Sequence, residues 1–512
     1  MMWLADSACH LNQPNDYPHN DYKNDHLYQP TNAPMKFYNR EDELQELHLL
    51  RNTLPAMIVL TGRRRVGKTE LIRKFLEDVT GVYFFVDGEK SEKMLINEFS
   101  AQLKECFNLG EYVKIDDWET LLKLIFDIGR DRDVIICIDE FQRFLQLNPS
   151  FINQLQKYWD TKSAGSQVFF VLSGSSVGMM NRIFVEQKAP LFKRAQNILF
   201  IEPFDFKTIN LILIDLGITD SITRIEMYAL FGGMIHYYTL IEYYGVKSAD
   251  DAINKLVLRK FAPLKSEVRD TMIESFGREH RTYYSILTAI ALGKSTKSEI
   301  ANFVDVKVTS LSAYMDNLIA TVGVVRRLVP VTEPAPWRSK KGRYLLNDNF
   351  FLFWFRFIFR NMSHHEIGDF EYIRDKIRQV FDSFVGRNFE GICREFMVDL
   401  NRQEPGQLPF RFDRIGSWWN RKGDEIDIVA LNSETGEILF AECKWRAAAV
   451  GCGVVEDLRR KAALVDWEKG SRREYFAVFS KSGFDAVCQE YCERDGVLMF
   501  DVDQIAGTAE GR

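Results

Sequence analysis

"AMIVLTGRRRVGKTELIRKFL", residues 56–76, decides the first part of the fold. Met57 to Leu60 is an unbroken apolar run and reads as a strand. It runs directly into Gly62-Arg63-Arg64-Arg65-Val66-Gly67-Lys68-Thr69, and an amphipathic helical pattern follows. This strand, glycine loop and helix form the context in which a phosphate-binding loop works. Gly62 and Gly67 let the backbone turn tightly enough to aim its amides at phosphate oxygens, with Arg63, Arg64, Arg65 and Val66 completing the loop. Lys68 has the reach for β and γ oxygens, and Thr69 offers a hydroxyl to magnesium. The ligand implied is ATP with Mg2+.

"DVIICIDEFQRF" (133–144) supplies the acids such a site needs. Asp139 ends an apolar strand, where it can hold magnesium, and Glu140 beside it is the natural base to orient an attacking water. A further apolar strand, "VFFVLSGSSVGMM" (168–180), ends in small hydroxyl residues, of which Ser173 and Ser175 are candidate polar sensors between the two motifs.

Around this core the composition sets limits. A chain of 512 residues exceeds one ordinary hydrophobic core, so several domains are expected. Hydrophobic residues at 46% and charged residues at 27% describe a soluble globular protein. The net charge of −6 provides no general attraction to nucleic acid, so any such contact must come from a local basic face. No apolar run reaches the roughly 18–20 residues of a bilayer span, and "FFLFWFRFIF" (350–359) is short and interrupted by Arg356. A cytoplasmic protein with no membrane partner is expected, and the start of the chain lacks the order of a secretory signal. Residues 1–35, rich in Asn, Asp, Tyr and Pro, read as a disordered tail. The eight cysteines form no paired C-x-x-C clusters, and Cys488 with Cys492 lacks a second pair to complete a metal site.

The order "FYNREDELQEL" (37–47), glycine loop, "CIDEFQ" (137–142), "LSGSSVGMM" (172–180) and "APLFKRAQNILFIEPF" (189–204) resembles the archaeal-type AAA ATPases close to the STAND signalling NTPases. That resemblance covers about the first half of the chain. It implies a P-loop NTPase parallel sheet followed by a helical lid, to which "ALFGGMIHYYTLI" (229–241) corresponds. It also implies that Arg40 and Glu41 border the nucleotide pocket. Arg194 is its candidate for sensing or stabilising the γ-phosphate, with a helix-capping or solvent-facing role as the alternative.

From about residue 280 the pattern changes to "YYSILTAIALG", "KSEIANFVD" and "KVTSLSAYMDNLIAT", then the strand-like "GVVRRLVPV". Three helices ending in a hairpin resemble a winged helix-turn-helix. Its recognition helix would start near Val308 and turn Lys307, Ser310 and Tyr314 toward a partner. Arg326 and Arg327 fall on its first wing strand, and "WRSKKGRY" (337–344) adds a basic turn. Such domains sit in DNA grooves, and they also serve as protein-packing modules. The aromatic run 350–359 reads as core or interdomain packing.

The last segment carries a second set of acids. "FDSFVGRNFEGICREFM" (381–397) is an amphipathic helix bearing Glu390, "IGSWWNRKGDEIDIVALN" (415–432) holds Asp427 on a strand, and "EILFAECKW" (437–445) holds Glu442 and Lys444 on the next. Strand alternation puts Glu442 and Lys444 on one face with Cys443 opposite. Asp427 and Glu442 can then share a divalent ion that Glu390 completes, with Lys444 free to act on water or phosphate. The arrangement resembles the PD-(D/E)XK, restriction-endonuclease-like fold, with the first proline of that motif replaced by Glu425-Ile426 ahead of Asp427. A shared scaffold does not by itself imply cleavage.

The reading that emerges is a multidomain α/β protein: disordered tail 1–35, P-loop ATPase core 36–205, helical lid 206–278, winged-helix-like domain 279–346, helical connector 347–380 and PD-(D/E)XK-like domain 381–505. Its expected activity is that of an ATP-hydrolysing switch coupled to a DNA-binding, metal-dependent nuclease-like domain. The rival reading is a STAND-type regulator whose last domain binds nucleic acid or protein without cutting. The partners consistent with these readings are DNA, a protein or a second copy of the chain.

Overall fold

The computed structural model describes residues 35–110, 112–276, 280–320, 322–402 and 406–507. The expected disordered tail lies almost wholly outside them, as does Cys9. The chain divides into two compact units, one running to Glu202 and the other from Pro203 onward apart from Ala320–Val322. The first unit is built on a five-stranded sheet of β1 (Ala56–Thr61), β2 (Val82–Phe85), β3 (Val134–Asp139), β4 (Val168–Gly174) and β5 (Asn197–Phe200), in the order β2-β3-β4-β1-β5. Every pairing is parallel. All residues of β1, β3 and β4 are buried, which is why these stretches read as continuous apolar runs rather than alternating ones.

Helices cover the sheet, and local chemistry starts them. Ser91 accepts from the Met94 amide, Asp117 from that of Thr120, and Asn148 from that of Phe151 with Pro149 in the first turn. Their inward faces meet in an aromatic cluster. Phe84 stacks on Phe99 at 4.1 Å, and Trp118 meets Phe144 edge-on at 5.1 Å. Strand register brings the ends of β1, β3 and β4 together, with Thr61 beside Gly174 and Asp139 beside Phe85. The glycine loop leaves the sheet at that carboxyl edge, where open α/β sheets bind ligands.

The second unit joins helices, a hairpin and a second sheet. The helices Phe206–Asp215, Ser221–Phe231 and Ile235–Tyr243, expected as a lid following the ATPase core, fold with this unit. Arg224 is fully buried and donates to Asn210 Oδ1 at 2.8 Å and Gly507 O at 3.0 Å, while Asn210 Nδ2 donates to Ala506 O at 2.7 Å. These bonds satisfy a charge that would be costly to bury alone. Phe350, Phe351, Phe353, Trp354, Phe355 and Phe357 are buried, so the aromatic run is core.

Helices His280–Ala291, Lys297–Val304 and Val308–Ala320 precede the antiparallel hairpin of β6 (Val325–Leu328) and β7 (Arg343–Leu346). Lys307 and Ser310 are exposed. Tyr314, expected to face a partner, packs against Tyr283 at 5.2 Å. Arg326 departs from expectation further: it turns inward toward Arg394, Glu395 and Tyr228, its Nε is buried, and desolvation lowers its pKa to about 10. Adjacent residues of a strand point to opposite faces, so only Arg327 of the pair is exposed. The hairpin loop docks on the second sheet through Val331 N to Ser417 O at 3.0 Å. Arg343 pairs with Glu425 at 2.9 Å and lies over the Trp419 ring at 4.5 Å.

That second sheet has the order β12-β11-β10-β9-β8, formed by β8 (Arg414–Trp419), β9 (Glu425–Asn432), β10 (Glu437–Lys444), β11 (Arg473–Ser480) and β12 (Leu498–Asp501). β8, β9 and β10 are antiparallel neighbours, and β10, β11 and β12 are parallel. The helix Phe381–Arg402 packs on β8, β9 and β10, and Leu458 and Ala462 of the helix Gly453–Ala462 join Ile438 and Phe440 in a core cluster.

Candidate functional site

In the first unit the glycine loop is shaped by close approach. Gly62 has φ +153°, and a Cβ there would stand 2.5 Å from Ile201 O. Gly67 caps the following helix at φ +102°, a conformation that glycine adopts without a steric penalty. Lys68 is buried beneath the loop and donates to Gly62 O and Arg63 O, each at 2.8 Å. Burial lowers its pKa to about 8, against the opposing pull of Glu140 and Asp139. Arg40 ties the preceding segment to the loop, donating to Val66 O at 3.4 Å and to Glu202 O at 2.6 Å.

Two acids sit beside the lysine. Asp139 Oδ2 accepts from Thr69 Oγ1 at 2.7 Å and from Tyr83 Oη at 2.9 Å, and its Oδ1 accepts from the Glu140 amide at 3.0 Å. Burial and the neighbouring carboxylate push the Tyr83 phenol far up, so it acts as a donor. Glu140 lies in the left-handed region at φ +56°. Its Oε2 accepts from Ser175 Oγ at 2.8 Å and from Gln142 Nε2. Of the two candidate sensors, Ser175 thus reaches the acid, whereas the buried Ser173 hydroxyl has no partner among the described residues. Gln142 and Tyr83 were not foreseen. Gln142 lies two residues beyond Glu140, but nothing in its type marks a role.

The structure brings Lys68, Thr69, Asp139, Glu140 and Ser175 together, while Arg194 is engaged elsewhere. Its guanidinium grips Asp160 through two bonds of 2.6 and 2.7 Å and donates to Pro190 O at 3.0 Å. An ATP–magnesium pair fits this first site: a loop too tight for a Cβ at Gly62, a buried lysine holding loop carbonyls, and a hydroxyl and carboxylate already in contact.

Asp427 sits at a kink in its strand. Gly416 pairs with Val429 and Trp418 with Ile426, so Asp427 and Ile428 together oppose the single residue Ser417. Such a bulge re-aims a side chain, and strict alternation does not anticipate it. Ser417 Oγ donates to Asp427 O at 2.8 Å, and the Cys443 amide donates to Asp427 Oδ2 at 2.8 Å. Desolvation pushes Asp427 up to about 7, with Glu442 adding to the rise. The same cause, followed by Asp427 and Glu425, pushes Glu390 up to about 8.

Glu442 is buried and held by two lysines. Lys444 Nζ donates to its Oε1 at 2.7 Å, and Lys461 Nζ lies 3.3 Å from the same oxygen. Lys461, on the helix Gly453–Ala462, was not anticipated and carries no motif. The expected cage of Glu390, Asp427 and Glu442 is not preassembled. Among the described residues no group of three His, Cys, Asp or Glu side chains is placed to hold a metal ion. The reason is geometric: alternation along β10 turns Glu442 toward Lys461, away from Cys443 and the helix that carries Glu390. Cys488 and Cys492 lie 3.8 Å apart, both buried, as free thiols. Among the described residues no helix is long and apolar enough to cross a membrane.

Parallel sheet, glycine loop and acid pair define a P-loop ATPase, and residues 37–233 match the family described as an ATPase domain predominantly from Archaea. Residues 354–457 match a second family, described as archaeal and bacterial proteins of unknown function. The chain belongs to the same family as an uncharacterized protein of Methanocaldococcus jannaschii, 33% identical over 477 residues that span 92% of this chain and all of that one. An uncharacterized ATP-binding protein of the same organism is 56% identical over 43 residues, 8% of this chain and 73% of its own. In fold, the chain is similar to the Walker-type ATPase of Pyrococcus abyssi, with a TM-score of 0.51 and 18% identity over 64% of this chain and 98% of that one.

Proposed function

We propose that this ATPase is a switch whose nucleotide state governs a DNA-directed C-terminal domain with metal-dependent phosphodiester chemistry. In the first unit Lys68 exchanges the Gly62 and Arg63 carbonyls for phosphate oxygens, and Thr69 and Asp139 hold magnesium. Glu140, steadied by Ser175 and Gln142, orients the attacking water. A bound magnesium ion supplies charge neutralisation at the phosphates.

One observation carries the C-terminal half of this reading: Asp427, Glu442 and Lys444 converge at a bulged strand end with one carboxyl already pushed up to about 7. Desolvated carboxyls beside an acid and a lysine are what a divalent ion and a phosphodiester require. In this reading Asp427 and Glu442 hold the ion and Lys444 acts on the phosphate, with Glu390 in support. Three helices followed by a hairpin, with Lys307 and Ser310 exposed, support a winged helix as the DNA contact. The expected domain boundaries belong to the same proposal.

A second reading rests on Glu442 itself. Two lysines neutralise it, as suits a domain that binds nucleic acid, a protein or a second copy without cutting. A plasmid and single-strand cleavage assay with magnesium or manganese, with and without ATP, separates the two. Cleavage that is lost in Asp427→Ala and Lys444→Ala supports the nuclease. No cleavage by the parent protein under any of these conditions overturns it and leaves the regulator.

A further inference from the structure

The second unit contains a cavity of about 720 Å³ that none of this chemistry uses. It lies between the end of the helix His280–Ala291, the end of the aromatic run with the residues just after it, and the helices Phe370–Arg378 and Phe381–Arg402. Its charged lining is of one sign: Arg356, Arg360, Lys376 and Arg387, with no aspartate or glutamate among the lining residues. Elsewhere in the same helices arginines find acids, as Arg374 does with Glu371 and Arg378 with Asp375 at 3.9 Å. Among the described residues no carboxylate pairs with the four cations that face the cavity.

Like charges gathered around a partly enclosed space repel one another and lose hydration, so the cluster costs stability unless an anion fills it. Arg356 shows that cost: desolvation, then Arg387 and Arg360, hold its pKa below the usual arginine value. Guanidinium forks match phosphate oxygens in pairs, which a single ammonium does not. Asn361, Gln379 and Ser383 add neutral hydrogen-bonding groups on the same wall. The volume falls within the range of small-ligand pockets, roughly 300–1,000 Å³, and exceeds what an inorganic ion alone would fill.

We infer that this cavity binds a phosphate-bearing organic molecule, gripped by Arg356, Arg360, Lys376 and Arg387, at a site other than the ATP loop. The phosphate can come from a free nucleotide or from the backbone of a nucleic acid, and the test separates these sources. Full-length protein carrying Lys68→Ala, which disables the ATP loop, is titrated calorimetrically with pyrophosphate, a nucleoside diphosphate and a short oligothymidylate. Saturable binding of the nucleoside diphosphate is expected, weakening as salt is raised. It should fall by about tenfold or more when Arg360→Gln and Lys376→Gln are combined, since each removes a charge-assisted contact. Arg360 and Lys376 are exposed, so the pair can be replaced without emptying a core. Saturation by the oligothymidylate alone, with the same sensitivity, assigns the phosphate to a nucleic acid. The proposal is overturned if no probe saturates, or if the double substitution leaves binding unchanged. Asp427→Ala serves as the control: it alters a C-terminal acid that does not line the cavity and should leave binding unchanged.

Discussion

The two acid-bearing sites place their cations differently. At the glycine loop the cation is already inside: Lys68 is buried and occupied with backbone carbonyls, and the acids beside it accept from the hydroxyls of Thr69, Tyr83 and Ser175. At the bulged strand both available lysines sit on Glu442, while Asp427 keeps a backbone amide and Glu390 is desolvated. The first cluster keeps its cation buried beside a phosphate-binding loop, whereas the second already neutralises its buried Glu442 with two lysines, so two clusters of similar composition use their cations differently.

Breaking the first site should give the largest effect. Lys68→Ala removes the buried cation, and ATP turnover should fall by roughly 10²–10³-fold, the loss typical of a lone electrostatic donor in a transition state. Steady-state phosphate release measures this, and an undiminished rate would deny the lysine its role. Gly62→Val tests the loop's shape instead. A side chain meeting Ile201 O at 2.5 Å with φ +153° should cost about 1–3 kcal/mol, seen as a lower melting temperature.

The second site should reveal itself through pH. Asp427 and Glu390 are pushed up to about 7 and 8, and Glu395, desolvated but bonded to the Phe206 amide at 2.7 Å, to about 7. In each case the folded state holds its proton to a higher pH than the unfolded chain does. The stabilisation is full below the ordinary carboxyl range near pH 4, and it is lost as pH rises through about 7 to 8. The melting temperature should therefore decline between about pH 5 and 8.5. Glu395→Gln should flatten that decline, and an unchanged slope would show that Glu395 is not one of its sources.

The smallest effect concerns the hairpin. Arg327→Gln and Lys340→Gln should reduce the salt dependence of DNA binding by roughly one phosphate contact each. Arg326→Gln should alter stability and leave that slope alone, because its guanidinium faces Arg394 and Glu395. Equal effects of Arg326 and Arg327 on the slope would contradict the inward turn.

These regions also differ in how far the sequence discloses them. The glycine loop is legible because one contiguous stretch dictates its residue types, and Asp139 and Glu140 follow at the end of a buried strand. The helix and strands that carry Glu390, Asp427, Glu442 and Lys444 are equally visible. The bulge at Asp427 is not, since it depends on register against β8, and Lys461 reaches Glu442 from a helix with no motif. Arg326 could have been read better: alternation along "VVRRL" permits only one of the two arginines to face solvent. The basic cavity draws its cations from three separate segments, and no local pattern assembles them. The bidentate grip of Arg194 on Asp160 is equally hidden, because it depends on a partner 34 residues away in sequence.

The most direct test of the central claim, that the first unit hydrolyses ATP with Glu140 orienting the water, compares wild type and Glu140→Gln in parallel binding and turnover assays. The variant should bind ATP within about twofold of wild type and hydrolyse it roughly 10²-fold or more slowly, since only the general base is changed. Hydrolysis by Glu140→Gln at the wild-type rate would contradict the account.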